Sequence, residues 1–115
     1  MPIFSVNMRH TPESCAMFNE EVRNKFKQAV GKRAEAAKKH EIKIISAYTS
    51  ILEHLIFYIV EAPSQVAVEN YFMDIGFAFW NNVEIRRVKP VEDVVRSVEG
   101  YSTGDLTGHQ IPARS

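Results

Sequence analysis

Apolar and polar residues alternate from Ile3 to Arg9, with Phe4, Val6 and Met8 on one side and Ile3, Ser5, Asn7 and Arg9 on the other. A period of two marks a β-strand with one side in a core. The second side is half polar, so it is expected to face water or line a cavity. Thr11-Pro12 ends the strand, because proline has no N–H to give to a ladder. Thr11 can cap a short turn with Pro12 at its first position. From Asn19 the period lengthens. Asn19 is a good helix cap, and Glu20 and Glu21 suit the positive end of the helix dipole. Val22, Phe26, Ala29, Val30, Ala34 and Ala37 recur at three- and four-residue spacing and predict one apolar stripe. Arg23, Lys25, Lys27, Lys32, Arg33 and Glu35 are assigned to the solvated side. The basic run Lys38-Lys39-His40 suits the helix C-terminus.

Ile42 to Ser50 and His54 to Ala62 read as two further strands, and the link Ile51-Leu52-Glu53 is short enough for a hairpin. Both sides of the second of these are mostly apolar, which predicts a central strand covered on both faces. Ser64 caps a second helix, whose expected buried face is Val68, Tyr71, Phe72, Ile75, Phe79 and Trp80. Val83 to Lys89 is a last strand, ended by Pro90, and Val91 to Val98 is a short amphipathic helix. The expected domain is 1–98, and 99–115, with Gly100, Gly104, Gly108 and Pro112 among polar residues, is expected to be a loose tail.

The element order β-α-β-β-α-β is that of an α+β ferredoxin-like fold: a four-stranded antiparallel sheet with two helices on one face. Right-handed crossovers put the first and third strands side by side in the middle. The face without helices would carry Ile45, Ala47, Leu55, Phe57 and Ile59, or the complementary set. That is too apolar to leave in water, which predicts a homodimer closed sheet to sheet.

The 115 residues suit one domain, and fourteen basic against fourteen acidic residues leave no net charge. Such a balance lacks the electrostatic footprint that a phosphate backbone demands, so no nucleic acid partner is expected. The longest apolar run, Leu55 to Val60, is far short of the about 20 residues that cross a bilayer, so no membrane partner is expected either. A single cysteine allows no internal disulfide and fits a reducing, cytoplasmic setting.

Three segments carry candidate chemistry: His10-Thr11-Pro12-Glu13-Ser14-Cys15, Leu52-Glu53-His54, and Val60-Glu61-Ala62. On these the chain resembles the dimeric α+β barrel superfamily. It looks most like small, single-domain, poorly characterised members with a His-x-Pro-Glu-x-Cys-like loop. The resemblance spans roughly residues 3–95. The superfamily includes cofactor-free monooxygenases, isomerases, haem-linked enzymes and ligand-binding domains, so membership implies the fold and no single reaction.

If the first and third strands are antiparallel neighbours, the end of one lies beside the start of the other. His10 and His54 then meet, and Cys15 on the following loop can join them. Two imidazoles and a thiolate suit zinc, copper or iron rather than calcium or magnesium. Glu13 or Glu53 could orient a histidine or act as a fourth ligand. Met8 and Met17 are candidate soft axial ligands, with core packing as the competing role. A reactive Cys-His pair is the other chemistry open to Cys15, but it lacks a third residue to orient the base.

A second function class is a cofactor-free or haem-linked monooxygenase or isomerase using the barrel interior, with Asn7, Arg9, Tyr48, Tyr58 and Trp80 as pocket residues. A third is a non-catalytic regulatory or binding module. There is no Gly-rich phosphate loop and no G-x-S-x-G elbow.

Overall fold

β1 (Ile3–Arg9) is the middle of the sheet and pairs antiparallel on both sides, with β3 (Leu55–Glu61) and β4 (Asn82–Val88). β2 (Lys43–Ser50) adds to the far side of β3, for a strand order of β2-β3-β1-β4. Three helices complete the fold: α1 (Glu20–His40), α2 (Gln65–Asp74) and α3 (Val91–Glu99). The computed structural model describes residues 1–100. Most of the segment expected to be a tail, 101–115, therefore lies outside the described residues. Among the described residues no helix is long and apolar enough to cross a membrane.

Local chemistry explains the boundaries. The Asn19 side chain accepts from the Val22 N–H at 3.0 Å and starts α1. At the other end Glu41 adopts a left-handed backbone, φ 57°, and the Ile42 N–H returns to the Ala37 carbonyl at 2.8 Å. The Ser64 hydroxyl accepts from the Ala67 N–H and starts α2. His40 and Lys39 both reach the Asp74 carboxylate, at 3.0 and 3.7 Å, and tie the C-terminal ends of α1 and α2 together. These bonds, that to His40 first, hold the Asp74 carboxyl below the usual carboxylate range.

The core lies between one face of the sheet and α1 and α2. Phe4, Val6 and Met8 supply the centre from β1, as the alternation predicts, with Ile56, Tyr58 and Val60 beside them on β3. Val68, Tyr71, Phe72 and Ile75 of α2 and its C-terminal flank close over them. Tyr58 and Tyr71 each meet Phe72 edge to face, at 5.2 and 4.9 Å between ring centres.

Four expectations are corrected. In α1 the buried stripe is Val22, Phe26, Ala29, Ala36 and Ala37, whereas Val30 and Ala34 are exposed. An alanine-rich helix does not announce which small residues point inward. In β2 the register slips at Ile45, so Ile44 lies opposite Val60 but Ala47 opposite Tyr58 and Thr49 opposite Ile56. A bulge of this kind turns the strand's later residues to the other face. Ala47 thus joins the helix side, and Ser46 and Tyr48 take the open side with Ile59 and Phe57. α2 stops at Asp74, and after Gly76 it is Phe77 that is buried, while Phe79 is 77% exposed. Last, the helices cover one face of β3, and on the other Phe57 stays open and stacks near Tyr48. α3 forms as expected, with Val91, Val94, Val95 and Val98 all exposed along it.

Tyr71 tests the core in two ways. It is fully buried and its hydroxyl has no partner within the protein. Burial pushes its pKa up to about 12. Burial likewise raises Tyr58, opposed by the nearby Arg33 guanidinium. The unfolded chain ionises Tyr71 near pH 10 and the folded chain resists. Stability is therefore intact below pH 10 and falls as pH rises toward about 12. Tyr71→Phe is expected to leave stability at pH 7 unchanged or raise it by up to ~1 kcal/mol, since it removes an unpaired hydroxyl. It is also expected to flatten the alkaline loss in urea unfolding measured from pH 9 to 12. Phe72→Ala, by contrast, is expected to cost ~3–5 kcal/mol in the same assay.

Candidate metal centre

β1 ends at Arg9 and β3 begins at Leu55, and these two residues pair. The next step outward pairs His10 with His54: the His10 N–H donates to the His54 carbonyl at 3.2 Å. His54 belongs to the turn rather than to the strand. Its N–H returns to the Ile51 carbonyl at 3.1 Å, and its backbone is left-handed, φ 54°. Such a φ is uncommon outside glycine, although histidine adopts it more readily than most residues. Both side chains continue the inward-facing sets of their strands, and the rings meet edge on with centres 5.4 Å apart.

The third residue arrives on a loop held from α1. Pro12–Ser14 forms a single 3-10 turn. The Asn19 side chain donates to the Glu13 carbonyl at 2.8 Å, and Arg23 donates to the carbonyls of Ala16 and Met17 at 3.0 and 3.2 Å. The Cys15 carbonyl accepts from the Phe18 and Asn19 N–H groups. Cys15 is thereby fixed and buried, 4% exposed. One ligating atom from each of His10, Cys15 and His54 lies within 4.8 Å of the others.

The hydrogen bonds define which nitrogens are free. The Asn81 amide N–H donates to the Phe77 carbonyl at 3.1 Å, which turns its oxygen toward His10. His10 Nδ1 lies 2.9 Å from that oxygen and, since an amide oxygen only accepts, must carry the proton. The lone pair of His10 is then on Nε2. That atom and His54 Nδ1 are both buried and have no hydrogen-bond partner in the protein. A buried polar atom left unpaired costs about 1–3 kcal/mol. Two of them belong to residues grouped with a buried thiol, which leaves donor atoms short of an acceptor. Ligands on a tetrahedral zinc, at about 2.0–2.3 Å from the metal, lie roughly 3.3–3.6 Å apart. The trio, whose ligating atoms lie within 4.8 Å of one another, must draw in by up to about 1.5 Å to reach that spacing.

The two acids expected to assist have hydrogen bonds of their own. Glu53 accepts from the Ser50 hydroxyl at 2.8 Å within the hairpin. Glu13 is fully exposed. Backbone and Thr11 hydrogen bonds hold its carboxyl below the usual range, and His54 adds a smaller pull in the same direction. The residue that orients a histidine is Asn81, which the sequence reading missed. Its signal was available in the strand pairing: β4 runs antiparallel to β1 with Arg9 opposite Asn82, so the residue before Asn82 lies beside His10.

A cavity of ≈260 Å³ adjoins the trio, with His10, Cys15, Phe26, Tyr58, Phe77 and Trp80 in its wall. Trp80 packs on His10 at 5.2 Å between ring centres. Of the five expected pocket residues, Tyr48, Tyr58 and Trp80 line this cavity. Asn7 and Arg9 do not; they lie on the opposite side of β1, where Asn7 donates to the Ser5 hydroxyl. Alternation separates them from Met8, which is buried in the core, whereas Met17 lines the cavity.

No protein-family model matches this chain, and no curated protein matches it either.

Asn81→Leu is expected to release His10 from its single tautomer. Histidine ¹⁵N shifts of the metal-free protein report this: a protonated Nδ1 and bare Nε2 in the native chain, and a mixture in the variant. A variant that keeps the single native pattern, protonated Nδ1 and bare Nε2, would show that Asn81 does not set the proton.

Proposed function

We propose that the chain is a transition-metal-binding protein whose site is His10 Nε2, His54 Nδ1 and Cys15 Sγ, with a fourth position left for water or a small ligand. The observations that carry this reading are two buried, partnerless imidazole nitrogens, His10 Nε2 and His54 Nδ1, in residues whose ligating atoms gather with that of buried Cys15 within 4.8 Å. Zinc, copper and iron suit this donor set. The Asn81 amide is the outer partner that fixes the ring of a ligating histidine. A bound divalent metal supplies charge and an open coordination position; the chain's residues hold it and exclude water on the Trp80 side. Met17 is the axial candidate that shares the cavity. The single free cysteine is what supports a reducing, cytoplasmic compartment.

We also propose the ferredoxin-like, dimeric α+β barrel arrangement. What supports it is the β2-β3-β1-β4 order and the helix-free sheet face carrying Tyr48, Phe57 and Ile59. Tyr48 is 63% exposed there, an apolar surface that a second copy would bury. Asn7 and Arg9 lie on the helix-free side of β1, so a pocket enzyme drawing on them would use the space between two sheets rather than this cavity. Haem is disfavoured by size, since ≈260 Å³ falls below the roughly 300–1,000 Å³ of pockets for larger ligands.

Elemental analysis of untagged protein tests the metal reading. Near-stoichiometric zinc, copper or iron is expected, with loss in His10→Ala and His54→Ala and weaker retention in Cys15→Ser. Protein that stays metal-free after incubation with all three salts would sink it. Sedimentation tests the assembly: a dimer at micromolar concentration is expected, and a monomer from Phe57→Lys. A native monomer would remove the dimer.

A further inference from the structure

Three protein donors leave a coordination position open, and here the neighbouring space is a cavity with an unusual make-up. Its wall holds Phe26, Tyr58, Phe77 and Trp80, and none of its lining residues is Asp, Glu, Lys or Arg. The aromatic rings are already mutually packed, Phe26 against Phe77 at 5.8 Å and Phe77 against Trp80 at 5.4 Å, so the wall is preformed. Met17 and Ile51, at 57% and 46% exposure, make an accessible rim. An apolar cavity of about 150 Å³ accepts a benzene, so ≈260 Å³ has room for a ring with a substituent.

Charge narrows the ligand further. A divalent metal, two neutral imidazoles and a thiolate sum to one positive charge. Glu53 accepts from Ser50, and Glu13 is fully exposed, with its hydrogen bonds to backbone and Thr11 and only a smaller, through-space pull from His54. A charge left unbalanced in an apolar site is costly, and a monoanionic donor cancels it where a neutral azole would not.

We propose that the site takes a small phenol, bound to the metal as its phenolate with the ring in the cavity. This rests on the metal reading above. On binding, the phenol O–H releases its proton to solvent, its oxygen lone pair bonds the metal, and a bound water leaves. No electrons change hands.

Cobalt(II) is the probe, because thiolate ligation gives it a charge-transfer band and its visible bands follow coordination. Phenol is expected to shift those bands saturably and to release a proton, seen as a buffer-dependent heat in calorimetry. Ala47→Phe, which fills the cavity from β2, is expected to keep the native cobalt spectrum and bind phenol at least about tenfold more weakly. Cobalt binding with no response to phenol would overturn the phenolate proposal and leave the metal site standing. Pyridine displacing phenol at equal or lower concentration would overturn the anionic ligand class. Failure to bind cobalt at all would remove the metal reading and the phenolate proposal with it.

Discussion

The antiparallel closure of β1 on β3 is the constraint on which the candidate centre depends. The Arg9–Leu55 pair fixes the register, and the His10 N–H to His54 carbonyl bond extends the ladder beyond both strands. Two residues 44 positions apart in the chain are thereby held opposite each other. A slip by a single residue would turn one imidazole to the open face. The register is defended by the core: Phe4, Val6 and Met8 can be buried only in this phase. Hydrophobic burial and site geometry are thus the same choice.

Around that closure the protein carries polar groups that it does not satisfy itself. Most buried donors and acceptors in folded proteins find partners. His10 Nε2 and His54 Nδ1 have none. Their neighbours are arranged in detail, since Asn81 fixes one ring, a left-handed turn aims the other, and Asn19 and Arg23 fasten the loop bearing Cys15. Among the described residues, two of the four buried side-chain atoms without a partner belong to the trio, the others being the Tyr71 hydroxyl and Trp80 Nε1, and His54 adds a left-handed backbone to one of them.

The sheet divides the remaining chemistry. Its helix side holds the core, the trio and an aromatic-walled cavity. Its open side holds Tyr48, Phe57 and Ile59 beside Ser46, Ser5 and Asn7. The bulge in β2 decides which residues go where. It sends Ala47 and Thr49 to the cavity and Tyr48 outward, although Tyr48 still reaches the cavity rim.

Periodicity in the sequence determined the strands, the helices and the inward faces of β1 and β3, because side-chain alternation is a local property that burial imposes residue by residue. It also carried His10, His54 and Cys15 as one group, since antiparallel pairing of neighbouring strands leaves little freedom at their joined ends. Tertiary structure alone decided the rest. The apolar stripe of α1 rotated to Ala36 because alanines fit either face and only packing selects. The phase of β2 changed at a bulge that leaves no trace in alternation. Asn81, absent from the sequence reading, is the residue hydrogen-bonded to His10. A hydrogen bond across 71 residues is set by the register of β4 on β1, which no local pattern encodes.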